Sequence, residues 1–174
     1  MAEAITRRLG WKTALLCIAG IEVLGGLSGW LSNSGYGNAW FDALQKPSFM
    51  PPGWLFGVVW PILYALLGVA LAMTLAEPPS PRRSTALLLF FVQLVLNFAW
   101  SPIFFAAHDI RLAKVLIFAM AAIAAAAGGQ FTRLRPIAGV LMVPYILWLV
   151  FAATLNGTIE ALNPGAGTSL LGFQ

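Results

Sequence analysis

Charge is what this chain of 174 residues has least of. Asp, Glu, Lys and Arg together make up 9% of it, against roughly 25% in an ordinary soluble domain. There is one histidine, His108, and one cysteine, Cys17. A single cysteine forms no internal disulfide, and one histidine with six dispersed acids does not supply the dense constellation that metal binding or hydrolysis requires. No metal site is expected. The pI near 9.7 invites a nucleic-acid reading, but ten Lys and Arg scattered between apolar runs make no continuous basic face, so no nucleic-acid partner is expected.

What the chain does have is apolar length. It is 60% hydrophobic, with a mean hydropathy of +0.84. A helix crossing a bilayer needs about 20 apolar residues at 1.5 Å each, and five segments meet that need, at about 12–31, 53–76, 84–107, 115–132 and 136–159. The first follows Arg7, Arg8 and Lys12, as a secretory leader would, but it outruns the ~7–15 apolar residues of a leader and ends without a small-x-small cleavage site. It is read as a helix. The expected fold is an all-α membrane protein, a five-transmembrane-helix bundle occupying 1–160 as one domain, followed by an irregular tail over 161–174. Short connectors predict that sequential helices are antiparallel neighbours. Seven cations (Arg7, Arg8, Lys12, Arg82, Arg83, Arg133, Arg135) fall on one side and three (Lys46, Arg111, Lys114) on the other. In an inner membrane the positive-inside rule then puts the N-terminus in the cytoplasm, whereas in an outer membrane the rule does not apply.

Polar and aromatic residues recur on single helical faces. Gln93, Asn97, Trp100 and Phe104 stand at i, i+4, i+7 and i+11, and an amide in hydrocarbon turns inward because burial without a partner costs free energy. Tyr145, Trp148, Ala152 and Asn156 make a second face, and Gly57, Trp60, Tyr64 and Gly68 a third. Such faces either pack helix on helix or wall a pocket for a flat apolar guest. Pro61, Pro102 and Pro144 lie in the same three helices, where each frees a carbonyl and bends the axis. Ala121, Ala125 and Gly129 give the fourth segment a small face suited to packing or dimer contact. Glu22 is the one acid inside a span, with Gly25 and Gly29 one and two turns on. An intramembrane acid is a functional candidate by default, and the alternative reading it supports is a proton-coupled small-molecule transporter.

Three runs carry a family resemblance: WFDALQKPSFMPPGWLFGVVWPILY (Trp40 to Tyr64), QLVLNFAWSPIFF (Gln93 to Phe105) and LMVPYILWLVFAATLN (Leu141 to Asn156). In these the chain resembles the translocator protein family (TspO/MBR, once called peripheral benzodiazepine receptors), as a bacterial member. The resemblance implies a homodimer of five-helix subunits with a pocket near the first loop that takes porphyrins such as protoporphyrin IX, sterols in mitochondrial members, and drug-like carboxamides. By motif, Trp60 and Trp148 match pocket tryptophans linked to light-dependent porphyrin degradation, which the resemblance makes the expected catalytic pair. Asn97 matches a polar pocket residue, Ala152 a wall residue, and Phe41 an aromatic position usually held by Tyr.

The expected ligand set is therefore Phe41, Trp54, Trp60, Tyr64, Asn97, Trp100, Tyr145, Trp148 and Ala152, with Trp54 helping the loop to close. Porphyrin or another planar apolar molecule and membrane lipid are the expected partners. No cofactor beyond the porphyrin ligand is required, and a conventional enzyme is not expected. The proposed cholesterol motif needs a cation soon after a Tyr, and none follows Arg135, so sterol binding by that route is not expected.

Overall fold

The computed structural model describes residues 10–170. Arg7 and Arg8 of the cation count, and the tail beyond 170, lie outside the described residues. Six α-helices run in order: α1 (Trp11–Leu31), the short α2 (Ala39–Ala43), α3 (Gly53–Leu75), α4 (Pro81–Ser101), α5 (Ile110–Leu134) and α6 (Pro136–Leu162). α4 continues into a π-helical turn, Pro102–Ala106. All but α2 are long and apolar enough to cross a membrane. A 21-residue helix rises about 31 Å, which matches the hydrocarbon core.

Local chemistry places the helix ends. Ser80 caps α4 by accepting from the Arg83 amide at 3.2 Å, with Pro81 at the first helical position, where its missing N–H leaves nothing unpaired. Arg83 also donates to the Thr74 and Leu75 carbonyls at 3.3 and 3.0 Å, so the start of α4 closes the end of α3. Asp109 caps α5 through Leu112 at 2.9 Å. Between α5 and α6 stands one residue, Arg135, held extended at φ −152° as a residue before proline prefers. That hairpin is tight because Gly139 has no Cβ, and one built there would collide with Thr132.

Around the bundle the order is α1, α3, α6, α5, α4. The expectation that short connectors make every sequential pair close neighbours fails at one place. α3 and α4 are joined by only 76–80, yet α3 packs mainly on α1 and α6, and α4 mainly on α5. Between α3 and α4 rings and amides span the gap in place of close backbones: Tyr64 reaches the Asn97 side chain at 2.8 Å and sets its ring edge-on to Phe98 at 6.3 Å.

The two ends of the bundle differ. Around Leu67, Ala70, Ala86, Phe90, Ala124, Ala127, Phe131, Ala138 and Met142 the helices pack solidly, all nine fully buried. Phe90 stacks on Phe131 there at 5.5 Å. Toward the first loop a second cluster gathers Phe41, Leu44, Phe104, Phe105, Ile110 and Ile159. α1 is peripheral, with Ile21 its one buried side chain. It is held where glycines allow close approach: a Cβ on Gly68 would stand 2.7 Å from the Ile18 backbone, and one on Gly25 would strike the Tyr64 ring.

Candidate functional site

The first loop forms a roof. After α1 the chain reverses through Asn33 (φ 48°), Gly35 (φ 100°) and Gly37 (φ 95°), left-handed positions that glycine adopts without a Cβ clash and asparagine tolerates. Asn38 then caps α2, accepting from the Phe41 amide at 3.1 Å. Its Nδ2 donates to the carbonyls of Asn33 at 3.1 Å and Phe105 at 3.3 Å. Phe105 belongs to the π turn, whose closing bond runs from the Ala107 amide to the Pro102 carbonyl at 2.8 Å. The roof is thus tied to the place where proline disturbs the third span.

Lys46 lies inside the roof. Its Nζ donates to the carbonyls of Phe41, Asp42 and Leu44 at 2.7, 3.1 and 3.2 Å, and stands 4.6 Å from the Phe41 ring centre. The cation closes the end of α2, with three carbonyl oxygens as partners. Phe41 is buried, its ring edge-on to Tyr36, Phe104 and Phe105 at 5.5, 6.1 and 5.2 Å.

The tail does more than trail away. Asn163 pairs with Gln45 in both directions, accepting from its amide at 2.8 Å and donating to its carbonyl at 2.9 Å. The Trp40 indole donates to the Ala166 carbonyl at 3.1 Å, and the Thr168 amide to the His108 carbonyl at 3.0 Å. His108 stacks on Trp40 at 4.2 Å. Asp109 accepts from the Leu170 amide at 2.8 Å. An irregular tail therefore straps the roof to the α4–α5 turn.

Beneath the roof is a cavity of about 560 Å³, inside the ~300–1,000 Å³ of small-molecule sites. Seven of the nine expected ligand residues border it: Phe41, Trp60, Tyr64, Asn97, Trp100, Trp148 and Ala152. Two do not. Trp54, at the start of α3, is 68% exposed and points away from the cavity's wall, the position of an interfacial anchor. Tyr145 is wholly buried and sits behind the wall. Residues not singled out from sequence complete the lining, among them Phe56, edge-on to Trp148 at 5.8 Å, and Ile117 and Met120 of α5. The small face read from the α5 sequence, Ala121, Ala125 and Gly129, is not the one that borders the chamber.

A hydrogen-bonded chain runs from this wall across three helices. The Tyr64 hydroxyl donates to Asn97 Oδ1 at 2.8 Å, Asn97 Nδ2 donates to the Tyr145 hydroxyl at 3.1 Å, and Tyr145 donates to Gln93 Oε1 at 2.7 Å. Asn97 is thereby engaged on both of its amide atoms, by one hydrogen bond each. Trp100 Nε1 and Asn156 Oδ1, in contrast, are buried without partners, and both residues border the cavity. Asn156 spends its Nδ2 on the Ile110 carbonyl at 2.9 Å. Glu22 also borders the cavity, the one Asp, Glu, Lys, Arg or His among its lining residues. Among the described residues no three His, Cys, Asp or Glu converge as metal ligands would.

Five apolar spans around a roofed aromatic chamber define a multi-pass integral membrane protein with an internal, ligand-sized cavity. The TspO/MBR family model matches residues 14–162, and the chain belongs to that family. It is 36% identical over 151 residues to the translocator protein of Sus scrofa, covering 84% of this chain and 89% of that one. To the tryptophan-rich protein TspO of Chlorobaculum tepidum it is 35% identical over 158 residues, 87% and 96% of the two chains. The protein CrtK of Rhodobacter capsulatus is 34% identical over 128 residues, 73% of this chain and 80% of its own.

Proposed function

We propose that this membrane protein binds a planar apolar ligand of the tetrapyrrole class in the chamber beneath the first loop. The observation that carries the proposal is the meeting of Phe41, Trp60, Tyr64, Trp100 and Trp148 from four separate elements around one cavity of about 560 Å³. Aromatic pairs contribute ~0.5–1.5 kcal/mol each beyond burial, so several rings on one macrocycle support roughly micromolar affinity. Titrating protoporphyrin IX against tryptophan fluorescence tests this. The Trp60→Ala, Trp148→Ala double variant is expected to weaken binding at least about tenfold. Unchanged affinity would sink the pocket.

A degradative activity is the second part of the reading. Porphyrin absorbs light and activates dioxygen, and Trp60 and Trp148 offer oxidisable indoles beside it. An illuminated sample is then expected to bleach porphyrin faster than detergent or lipid alone, with dioxygen consumed. The proton-coupled transport reading is favoured by Glu22 bordering the same cavity. It predicts proton release on ligand addition, lost in Glu22→Gln. If the membrane is an inner one, the cation count favours the N-terminus in the cytoplasm and the roof on the opposite face. A homodimer belongs to the same reading, and cross-linking in lipid tests it.

A further inference from the structure

The chamber's charge is one-sided. Among the described residues no Lys, Arg or His borders it, Lys46 being held by three roof carbonyls, while Glu22 contributes a carboxyl group from α1. No hydrogen-bond donor or cation among the described residues pairs with that carboxyl group. Asn156, 2% exposed, adds a second acceptor without a partner in its Oδ1. Groups of this kind inside low-dielectric surroundings act by what they lack: a ligand carboxylate would meet like charge and find no cation, whereas a ligand N–H or ammonium would satisfy acceptors that folding left open.

We infer that the cavity selects its ligand by charge, taking a flat aromatic molecule that directs a protonated amine or ring N–H at Glu22 and refusing one that brings a carboxylate into the chamber. The inference rests on the reading of this cavity as a ligand site and names the chemistry it accepts. A tetrapyrrole bound under it keeps its propionates outside the aromatic walls. Glu22 is a specificity residue here, since the rings supply the contact area and the acid supplies the preference.

Three probes on one scaffold test it: 9-(aminomethyl)anthracene, 9-anthracenemethanol and 9-anthracenecarboxylate. Each is titrated by tryptophan-to-anthracene energy transfer into the full chain in uncharged phosphatidylcholine nanodiscs, with empty discs subtracted. The wild type is expected to bind the amine at least about tenfold more tightly than the carboxylate. In Glu22→Gln that ratio is expected to fall toward about one, and in Glu22→Asp to persist. Equal affinity for amine and carboxylate in the wild type overturns the inference, as does a tenfold preference that survives Glu22→Gln. The neutral alcohol separates the two layers of the argument. If it binds while charge makes no difference, the ligand site stands and charge selection falls; if none of the three binds, both fall.

Discussion

The two ends of this bundle are built from the same helices and do opposite things. At the closed end small residues let α4, α5 and α6 approach: Ala86, Ala124, Ala127 and Ala138 are all fully buried, and two phenylalanines stack between them. Beneath the roof the same helices carry Trp100, Ile117, Met120 and Trp148, which line the cavity, Trp148 edge-on to Phe56 and Trp100 stacked on Phe104. In lipid the driving force between helices is packing and hydrogen bonding rather than exclusion of water. The closed end gains by packing, and the roofed end relies on a polar chain, a proline turn and a strapped loop. Stability and ligand affinity are therefore expected to respond to different residues.

The largest effect expected is on stability alone. Phe90→Ala removes a fully buried ring from the closed end and is expected to cost about 3 kcal/mol, the low end for such a truncation, because lipid replaces water in the reference state. Unfolding in mixed detergent measures it, and protoporphyrin affinity of the folded fraction is expected to stay within about twofold. A large affinity loss would join the two ends into one unit. Second comes Gly25→Val. Its Cβ would strike the Tyr64 ring, pushing the hydroxyl from Asn97 and breaking a buried chain worth about 2 kcal/mol. Here both readouts are expected to fall, since Tyr64 serves the network and the chamber wall together. Third, Trp148→Ala alone opens the chamber, where its side chain is only half-buried. Binding is expected to weaken about threefold to tenfold while the unfolding midpoint barely moves. A change in midpoint as large as that of Phe90→Ala would erase the contrast.

How much of this was legible beforehand follows from the range over which each feature is decided. Spans are local: charge-free runs of about 20 residues, Ser80 with Pro81, and Asp109 before α5 fix them within a few residues. The inward faces are nearly local, which is why Gln93, Asn97 and Phe104 are buried as their spacing demands. Pro102 announces a disturbance, but that it takes the form of a π turn, leaving the Phe105 carbonyl to Asn38, depends on a loop 67 residues away. The strap joins residues 118 and 126 positions apart, Gln45 with Asn163 and Trp40 with Ala166, and no periodicity encodes such pairs. Trp54 and Trp60 look alike in sequence. One helical turn and a half separates the exposed ring from the one at the cavity.

The smallest effect expected concerns the strap itself, and it asks whether the roof is a wall or a door. Asn163 ties Gln45 by two hydrogen bonds and its own helix by a third, to the Ile159 carbonyl at 2.7 Å. The bonds to Gln45 are exposed, so water replaces them readily in Asn163→Ala and the loss is expected to be about 1 kcal/mol or less. Beneath them the roof keeps Phe41 and Leu44 buried against Phe104 and Phe105, which holds the bound state nearly as before. An opening step governs rates more than equilibria, so stopped-flow titration is expected to show porphyrin entering and leaving about twofold to fivefold faster, with affinity changed less than about threefold. Unchanged rates would mean that the aromatic cluster alone holds the roof and the tail merely rests on it. Faster release without faster entry would mean that the strap touches the bound state, and the chamber would then extend to the tail.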